Sequence, residues 1–313
     1  MSTHPGVELL RQLLADSGLT TGTLLERRAA MEAGAAGSPA PAGTTVTVGE
    51  LGGRPVEWIN PDDLDAATDN TTATDNTDPR ATPVVLHLHG GGYCMGGHDT
   101  HRAFAGRMAL DARARVAVPD YRLAPEHPFP AAIDDAVAAY RDLVATGHDP
   151  AKLAISGDSA GGGLAVATLL SLRDAGDPMP AAAVLISPWA DLTQSAECYE
   201  RLDGLDPLLT KDGLDEMAEA YLAGTDPRDP RASPLFAPSL KGLPPLCIEV
   251  GDQELLLDDA TGLAALARRG GIDVSLTVWP DLTHDFQIFP AEIIPESDQS
   301  IAAISRFLWK HLN

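Results

Sequence analysis

Six short apolar runs in the last three-quarters of the chain leave little choice of architecture. They are VVLHLH from Val84, RVAVPDY from Arg115, KLAISGD from Lys152, AAAVLISP from Ala181, PLCIEVGD from Pro245 and DVSLTVWP from Asp273. Runs of this length suit strands buried on both faces, and most are separated by segments long enough for a helix. Residues 131–146, 160–174, 256–269 and 297–311 carry apolar side chains at helical spacing, and Gly147 and Gly270 stand as stop signals after two of them. Strands alternating with helices predict an α/β fold built on a mostly parallel central sheet flanked by helices.

Upstream, Val7, Leu9, Leu10, Leu13 and Leu14 have helical spacing, residues 34–43 read as a Gly/Pro/Ala linker, and Val46, Val48, Val56, Trp58 and Ile59 mark two early strands. Residues 61–79 hold Ala-Thr-Asp-Asn-Thr twice in a polar, turn-forming run, which predicts an exposed, mobile loop. Residues 190–238 are rich in Pro and Asp, break the strand–helix rhythm, and stand where an insertion could cover a site. The division expected is a segment 1–45, a core made of 46–189 and 239–313, and an insertion 190–238. With 313 residues, 44% of them hydrophobic, the chain can bury a continuous core.

Gly157-Asp158-Ser159-Ala160-Gly161 falls between a predicted strand and a predicted helix, the context of a nucleophile elbow. Its glycines allow a turn too tight for neighbouring side chains. That turn lifts the Ser159 hydroxyl above the sheet, where the N-terminus of the helix faces it with free N–H groups. His89-Gly90-Gly91-Gly92-Tyr93 closes the first apolar run about 70 residues upstream. Consecutive glycines expose N–H groups that can meet a developing oxyanion, each donor contributing roughly 3 kcal/mol in the transition state. A phosphate cradle is the competing reading, but no Lys-Ser/Thr follows and the chain is anionic. His87 and His89 share one face of a strand, yet no third ligand is spaced to join them, so no metal is expected.

If the chain order is nucleophile, acid, base, the base follows the last strands, and His284 is the one histidine between Ser159 and the C-terminal helix. The acid should follow PLCIEVGD, where Asp252, Glu254, Asp258 and Asp259 all compete; the residues by themselves do not choose among them.

The motifs together resemble the bacterial and archaeal branch of the hormone-sensitive lipase family of esterases, which has the α/β-hydrolase fold. The resemblance is carried by HGGGY from His89, YRLAPEHPFPAAIDD from Tyr121, GDSAGG around Ser159, SPWADLT from Ser187 and the His-x-Phe of His284 and Phe286, and spans the chain from about residue 82 onward. The family's Asp-Pro-Leu-x-Asp-Glu falls in register with Glu254 to Asp259, which implies Glu254 as the acid in place of the usual Asp, with Asp252 as the alternative. It implies Gly91, Gly92 and Ala160 as oxyanion donors, and a helical cap formed by residues 1–45 and 190–238. Tyr93, Asp158, Leu208 and Leu209 are candidates to contact substrate, and Asp206-Pro207-Leu208-Leu209 with the Tyr221 region to line the pocket under the cap. The activity implied is hydrolysis of short-chain carboxylic esters through an acyl-enzyme, with small lactones or acetyl groups as alternative substrates and a non-catalytic small-molecule binder as the less favoured class. No cofactor is required, and homodimers pairing near residues 273–280 occur among such proteins.

The N-terminus lacks the basic start and uninterrupted apolar stretch of a signal peptide, no run reaches the roughly 18 apolar residues of a membrane span, and Cys94, Cys198 and Cys247 are too widely spaced for a disulfide framework. A cytoplasmic protein is expected. Acidic residues outnumber basic ones 45 to 22, giving a net charge of −23, which disfavours nucleic acid and anionic membranes as partners. Solubility is one reason for such acidity; adaptation to molar salt, which screens the self-repulsion, is the sharper one. On the second reading the unfolding midpoint rises between low and molar salt, and a midpoint that does not rise leaves solubility as the reason.

Overall fold

Apolar runs without alternation need cover on both faces, and the computed structural model, which describes residues 4–15, 17–35, 38–66 and 82–313, places five of the six in the interior of one sheet and the last at its edge. Its strands are β1 (Thr44–Leu51), β2 (Arg54–Pro61), β3 (Val84–Leu88), β4 (Arg115–Pro119), β5 (Leu153–Asp158), β6 (Ala182–Ile186), β7 (Leu246–Gly251) and β8 (Val274–Trp279). They lie in the order β1-β2-β4-β3-β5-β6-β7-β8. β1 and β2 form an antiparallel hairpin, β2 is antiparallel to β4, and the remaining pairings are parallel. Every residue of β3, β5, β6 and β7 is buried, while β8, at the sheet edge, is partly exposed.

The helices are α1 (Pro5–Ala15), α2 (Leu24–Ala35), α3 (Asp62–Ala66), α4 (His98–Ala112), α5 (Ala131–Ala145), α6 (Ala160–Ala175), α7 (Cys198–Arg201), α8 (Lys211–Leu222), α9 (Leu257–Arg269) and α10 (Glu296–Leu312). Two core layers result. Ile133 and Tyr140 of α5, Leu164 and Leu169 of α6 and Leu263 of α9 pack with Leu86, Ile155 and Ile248 on one face. Phe104 and Met108 of α4 and Ile301, Ile304 and Leu308 of α10 pack with Val85, Val116 and Val184 on the other. A third cluster joins Val7, Leu10 and Leu14 of α1 to Leu282, Phe286 and Ile294, so the N-terminal helix rests on the loop that follows β8.

The spacing argument locates α1, α5, α6, α9 and α10 to within a residue or two but passes over the others, α2, α4 and α8 being the longest of them. In α4 the buried face is mostly Ala, Gly and His around Phe104 and Met108, which weakens the apolar period. Gly147, at φ 98, closes α5 as expected; Gly270 keeps a right-handed conformation, and the left-handed turn after α9 is made by Gly271 at φ 80. Of the predicted loop 61–79, residues 62–66 form α3, and residues 67–79 lie outside the described residues.

The register sets what meets at the carboxyl edge. Leu88 pairs with Gly157, which puts the glycine loop after β3 beside the turn after β5. Gly251 pairs with Trp279, which puts residues 252–254 beside the loop reaching His284. α6 can start under β3 only because Gly161 has no side chain: a Cβ there would stand 1.9 Å from the Leu88 carbonyl oxygen. Gly161→Ala is therefore expected to cost about 1–3 kcal/mol or more in urea unfolding. Gly34→Ala, in α2 with nothing within 4 Å of a new Cβ, should stabilise by up to about 1 kcal/mol.

Candidate active site

Ser159 occupies the turn between β5 and α6 at φ 53, ψ −122, a conformation that non-glycine residues seldom adopt. Hydrogen bonds hold it there: its N–H donates to the Ile186 carbonyl at 2.8 Å, and its own carbonyl accepts from the N–H groups of Trp189 at 2.8 Å and Gly162 at 3.0 Å. The hydroxyl oxygen lies 2.9 Å from His284 Nε2, across 125 residues of sequence.

On the other side of the ring, His284 Nδ1 faces Glu254 Oε1 at 3.7 Å. That is longer than a hydrogen bond, a common state of such pairs before a substrate packs the site. The other oxygen of Glu254 accepts from Ser187 Oγ at 2.8 Å and from the Gly251 N–H at 3.1 Å, which turns Oε1 toward the imidazole. The competitors point elsewhere. Asp252 accepts from the Asp281 N–H and the Gln253 side chain, Asp258 from the Cys198 N–H, and Asp259 from the N–H groups of Ala190 and Asp191 and the Tyr199 hydroxyl. Burial, opposed by these donors, pushes the Asp259 carboxyl up to about 8.

Gly91 and Gly92 have φ values of 115 and 62 and border the space above Ser159. Among the described residues, no acceptor takes their N–H groups or that of Ala160, the first residue of α6. Below them, Asp158 is clamped between His87 Nε2 and His101 Nε2, each at 3.1 Å. Burial would raise its carboxyl pKa, but His101 and His87 hold it well below the usual range.

A cavity of about 190 Å³ opens over Ser159. Its walls come from Leu14 and Met31 near the N-terminus, from Leu208, Leu209, Leu214 and Met217 of the insertion, and from Ile288 and Phe289. Leu208 and Leu209 thus border the cavity. Tyr93 does not: its positive φ of 61 turns the ring inward, where it is buried and stacks on Tyr221 with ring centroids 3.8 Å apart. Tyr93 and Tyr221 join the insertion to the core, and neither borders the cavity. Asp158 borders it with both carboxylate oxygens already engaged by histidines. A wider surface hollow of about 440 Å³ includes His98, Asp99 and Asp120 but none of the groups around Ser159. Glu57, His98 and Asp99 bring three ligating atoms together at its edge, where Arg102 already pairs with Glu57 at 2.6 Å.

The roles of two groups escape sequence reasoning. Asp206, buried in the insertion, accepts from the N–H groups of Leu208 and Leu209 with one oxygen and from the His284 N–H, at 2.9 Å, with the other. Burial, against the pull of His284, pushes its carboxyl up to about 6. The sequence offers Asp206 to Leu209 only as pocket lining, and nothing in it points to the contact with the His284 backbone. Asp285 follows the histidine directly, at φ 47, and its Oδ2 stands 3.0 Å from His284 Nε2; no motif marks it.

A family model described as alpha/beta hydrolase fold matches residues 85–288. An acetyl-hydrolase of Streptomyces hygroscopicus is 41% identical over 308 residues, which is 97% of this chain and 96% of that protein. The putative acetyl-hydrolase LipR of Mycobacterium tuberculosis is 33% identical over 287 residues, 92% of this chain and 87% of its own. Among solved structures, an esterase from the bacterial hormone-sensitive lipase family is similar with a TM-score of 0.89 at 40% identity, covering 100% of both chains. The esterase EstE5, in a crystal soaked with p-nitrophenyl butyrate, is similar with a TM-score of 0.87 at 39% identity over 99% of both chains.

Asp206→Ala strands three backbone donors and frees the His284 loop from the insertion. The expected outcome is a loss of about 1–3 kcal/mol in urea unfolding and a fall of up to about 100-fold in the rate at which a fluorophosphonate labels Ser159. A labelling rate equal to that of the wild type would separate Asp206 from the positioning of His284.

Proposed function

The chain belongs to the bacterial hormone-sensitive lipase family of α/β-hydrolase-fold carboxylic ester hydrolases, and from that premise we propose that Ser159 is its nucleophile, His284 the general base and Glu254 the acid that orients the imidazole. The observation that carries this is the 2.9 Å contact between Ser159 Oγ and His284 Nε2. His284 takes the hydroxyl proton as Oγ attacks the ester carbonyl. The N–H groups of Gly91, Gly92 and Ala160 receive the oxyanion, and their lack of other acceptors suits them to it. Protonated His284, its charge balanced by Glu254, passes the proton to the leaving alcohol. Water then repeats the sequence on the acyl-enzyme, with no step assigned to a cofactor.

The substrate proposed is a short acyl ester. The cavity of about 190 Å³ is smaller than the ~300 Å³ at which sites for drug-sized ligands begin, and apolar side chains of the N-terminal helices and the insertion close it like a cap. The acetyl-hydrolases among the relatives favour an acetyl group as the acyl part. Small lactones would use the same residues and are distinguished by substrate profiling. Three buried free cysteines suit a reducing compartment, so a cytoplasmic setting is part of the proposal; among the described residues no helix is long and apolar enough to cross a membrane. A second copy would pair along β8, the edge strand on which Val278 is exposed.

The test is hydrolysis of p-nitrophenyl esters from acetate to palmitate. Activity should peak at short chains, and Ser159→Ala should lower kcat by about five to six orders of magnitude. Glu254→Gln should lower it by roughly 10⁴, whereas Asp252→Asn should stay within a few-fold of the wild type. A Ser159→Ala protein that still turns over, or a larger loss at Asp252 than at Glu254, would overturn the assignment.

A further inference from the structure

His284 Nε2 has two oxygen neighbours, Ser159 Oγ at 2.9 Å and Asp285 Oδ2 at 3.0 Å. A base ready to deprotonate Ser159 needs a bare lone pair on Nε2, and a carboxylate oxygen offers only lone pairs. Two acceptors at that separation in a buried site repel unless a proton lies between them. The backbone makes the approach possible. In an extended segment successive side chains point to opposite sides, but Asp285 is left-handed at φ 47, ψ 35, and folds back over its predecessor. Its N–H donates to Ser187 Oγ at 3.3 Å and its carbonyl accepts from the Ile288 N–H at 3.0 Å, so the turn is held at both ends.

The surrounding charges favour keeping that proton. Asp158, at the end of β5, and Glu254, after β7, oppose a further negative charge at Asp285; His284 itself and His101 of α4 favour it. Asp206, in the insertion, holds the backbone of His284, and Arg27 of α2, across the cavity, is paired with Glu216. Asp285 Oδ1 has no hydrogen-bond partner among the described residues. Burial pushes the Asp285 carboxyl up to about 7 against the pull of His284. Burial would favour a neutral His284, but Asp285 and Glu254 hold the imidazole well above its ordinary range.

Building on the proposed Ser159 and His284 roles, we propose that Asp285 is a positioning residue that shares one proton with His284 Nε2 in the resting enzyme, and that loss of this proton to solvent arms Ser159. With the proton present, Nε2 is occupied whichever partner formally carries it, and Ser159 keeps its own. As pH rises the proton leaves through the cavity, which Asp285 borders, and Nε2 becomes a base. Because the carboxylate stabilises the protonated ring, it moves the acid limb of activity to higher pH than an isolated imidazole would give.

The experiment is the pH dependence of kcat/KM for p-nitrophenyl acetate, and of fluorophosphonate labelling of Ser159, for the wild type, Asp285→Asn, Asp285→Ala and Ser159→Ala. The wild-type acid limb should have its midpoint above about pH 7, and both Asp285 variants should move it down by about one unit or more, so that near pH 6 they retain about tenfold more of their plateau rate than the wild type. A wild-type midpoint at or below the ordinary imidazole value of about 6.5 overturns the proposal. That criterion stands even if neither variant folds. A midpoint unmoved in folded variants also overturns it, including the case where only the plateau falls. Turnover that survives Ser159→Ala is a different failure: it sinks the reading of the site itself and says nothing specific about Asp285.

Discussion

The first turn of α6 must sit directly under the end of β3, and most of the site follows from that contact. Gly161 lies so close to the Leu88 carbonyl that no side chain could intervene, and Gly157 is as close to the Gly161 carbonyl, where a Cβ would stand 2.1 Å away. Between β5, which ends at Asp158, and α6, which starts at Ala160, the chain has one residue in which to reverse, and Ser159 takes the strained conformation. Strain of this kind costs roughly 1–3 kcal/mol and persists only where the surroundings over-determine it. Here they do: Ala160 to Leu170 are buried without interruption and β5 is buried along its length. The free N–H of Ala160 and the raised hydroxyl are consequences of the same geometry.

Charge is the second constraint. Glu254, Asp285, Asp206 and Asp158 are all buried close to His284 or beneath it, in a chain with a large excess of acidic residues. They are tolerated because they are shared out differently. Asp158 is held between His87 and His101, Asp206 is spent on backbone donors, Glu254 is half-satisfied by Ser187 and Gly251, and Asp285 is left to the imidazole. Buried carboxylates persist when each finds donors or a cation, and the group left with fewest is the one whose protonation answers to pH.

The sheet was legible because buried parallel strands need continuous apolar runs, and Val84 to Leu88 or Leu246 to Gly251 have no other use. Ser159, the glycine loop and His284 were legible because tight turns and free amides demand particular residues in a particular order. Tyr93 was misplaced for a physical reason: its neighbours in the motif are backbone donors, but a positive φ sends its ring into the core. Asp206 and Asp285 were illegible because their roles depend on contacts across 78 residues in one case and on a left-handed backbone in the other. Neither leaves a period or a spacing in the sequence. The choice of Glu254 over Asp252 rested on resemblance and not on the residues themselves; it is the orientation imposed by Ser187 that separates them in space.

The N-terminal helices and the insertion bear on more than the size of the cavity. Leu10 and Leu14 press on Leu282 and Phe286, Arg11 donates to the Leu205 carbonyl at 2.6 Å, and Asp206 next to it holds the His284 N–H. On the opposite wall Met217 fills the place a Cβ on Gly92 would need. The elements proposed to limit the acyl chain are therefore the ones that brace the imidazole and the glycine loop. On the proposed reading, trimming these elements to admit a longer substrate removes packing from Ser159 and His284, so acyl-chain range and turnover are coupled through the same side chains.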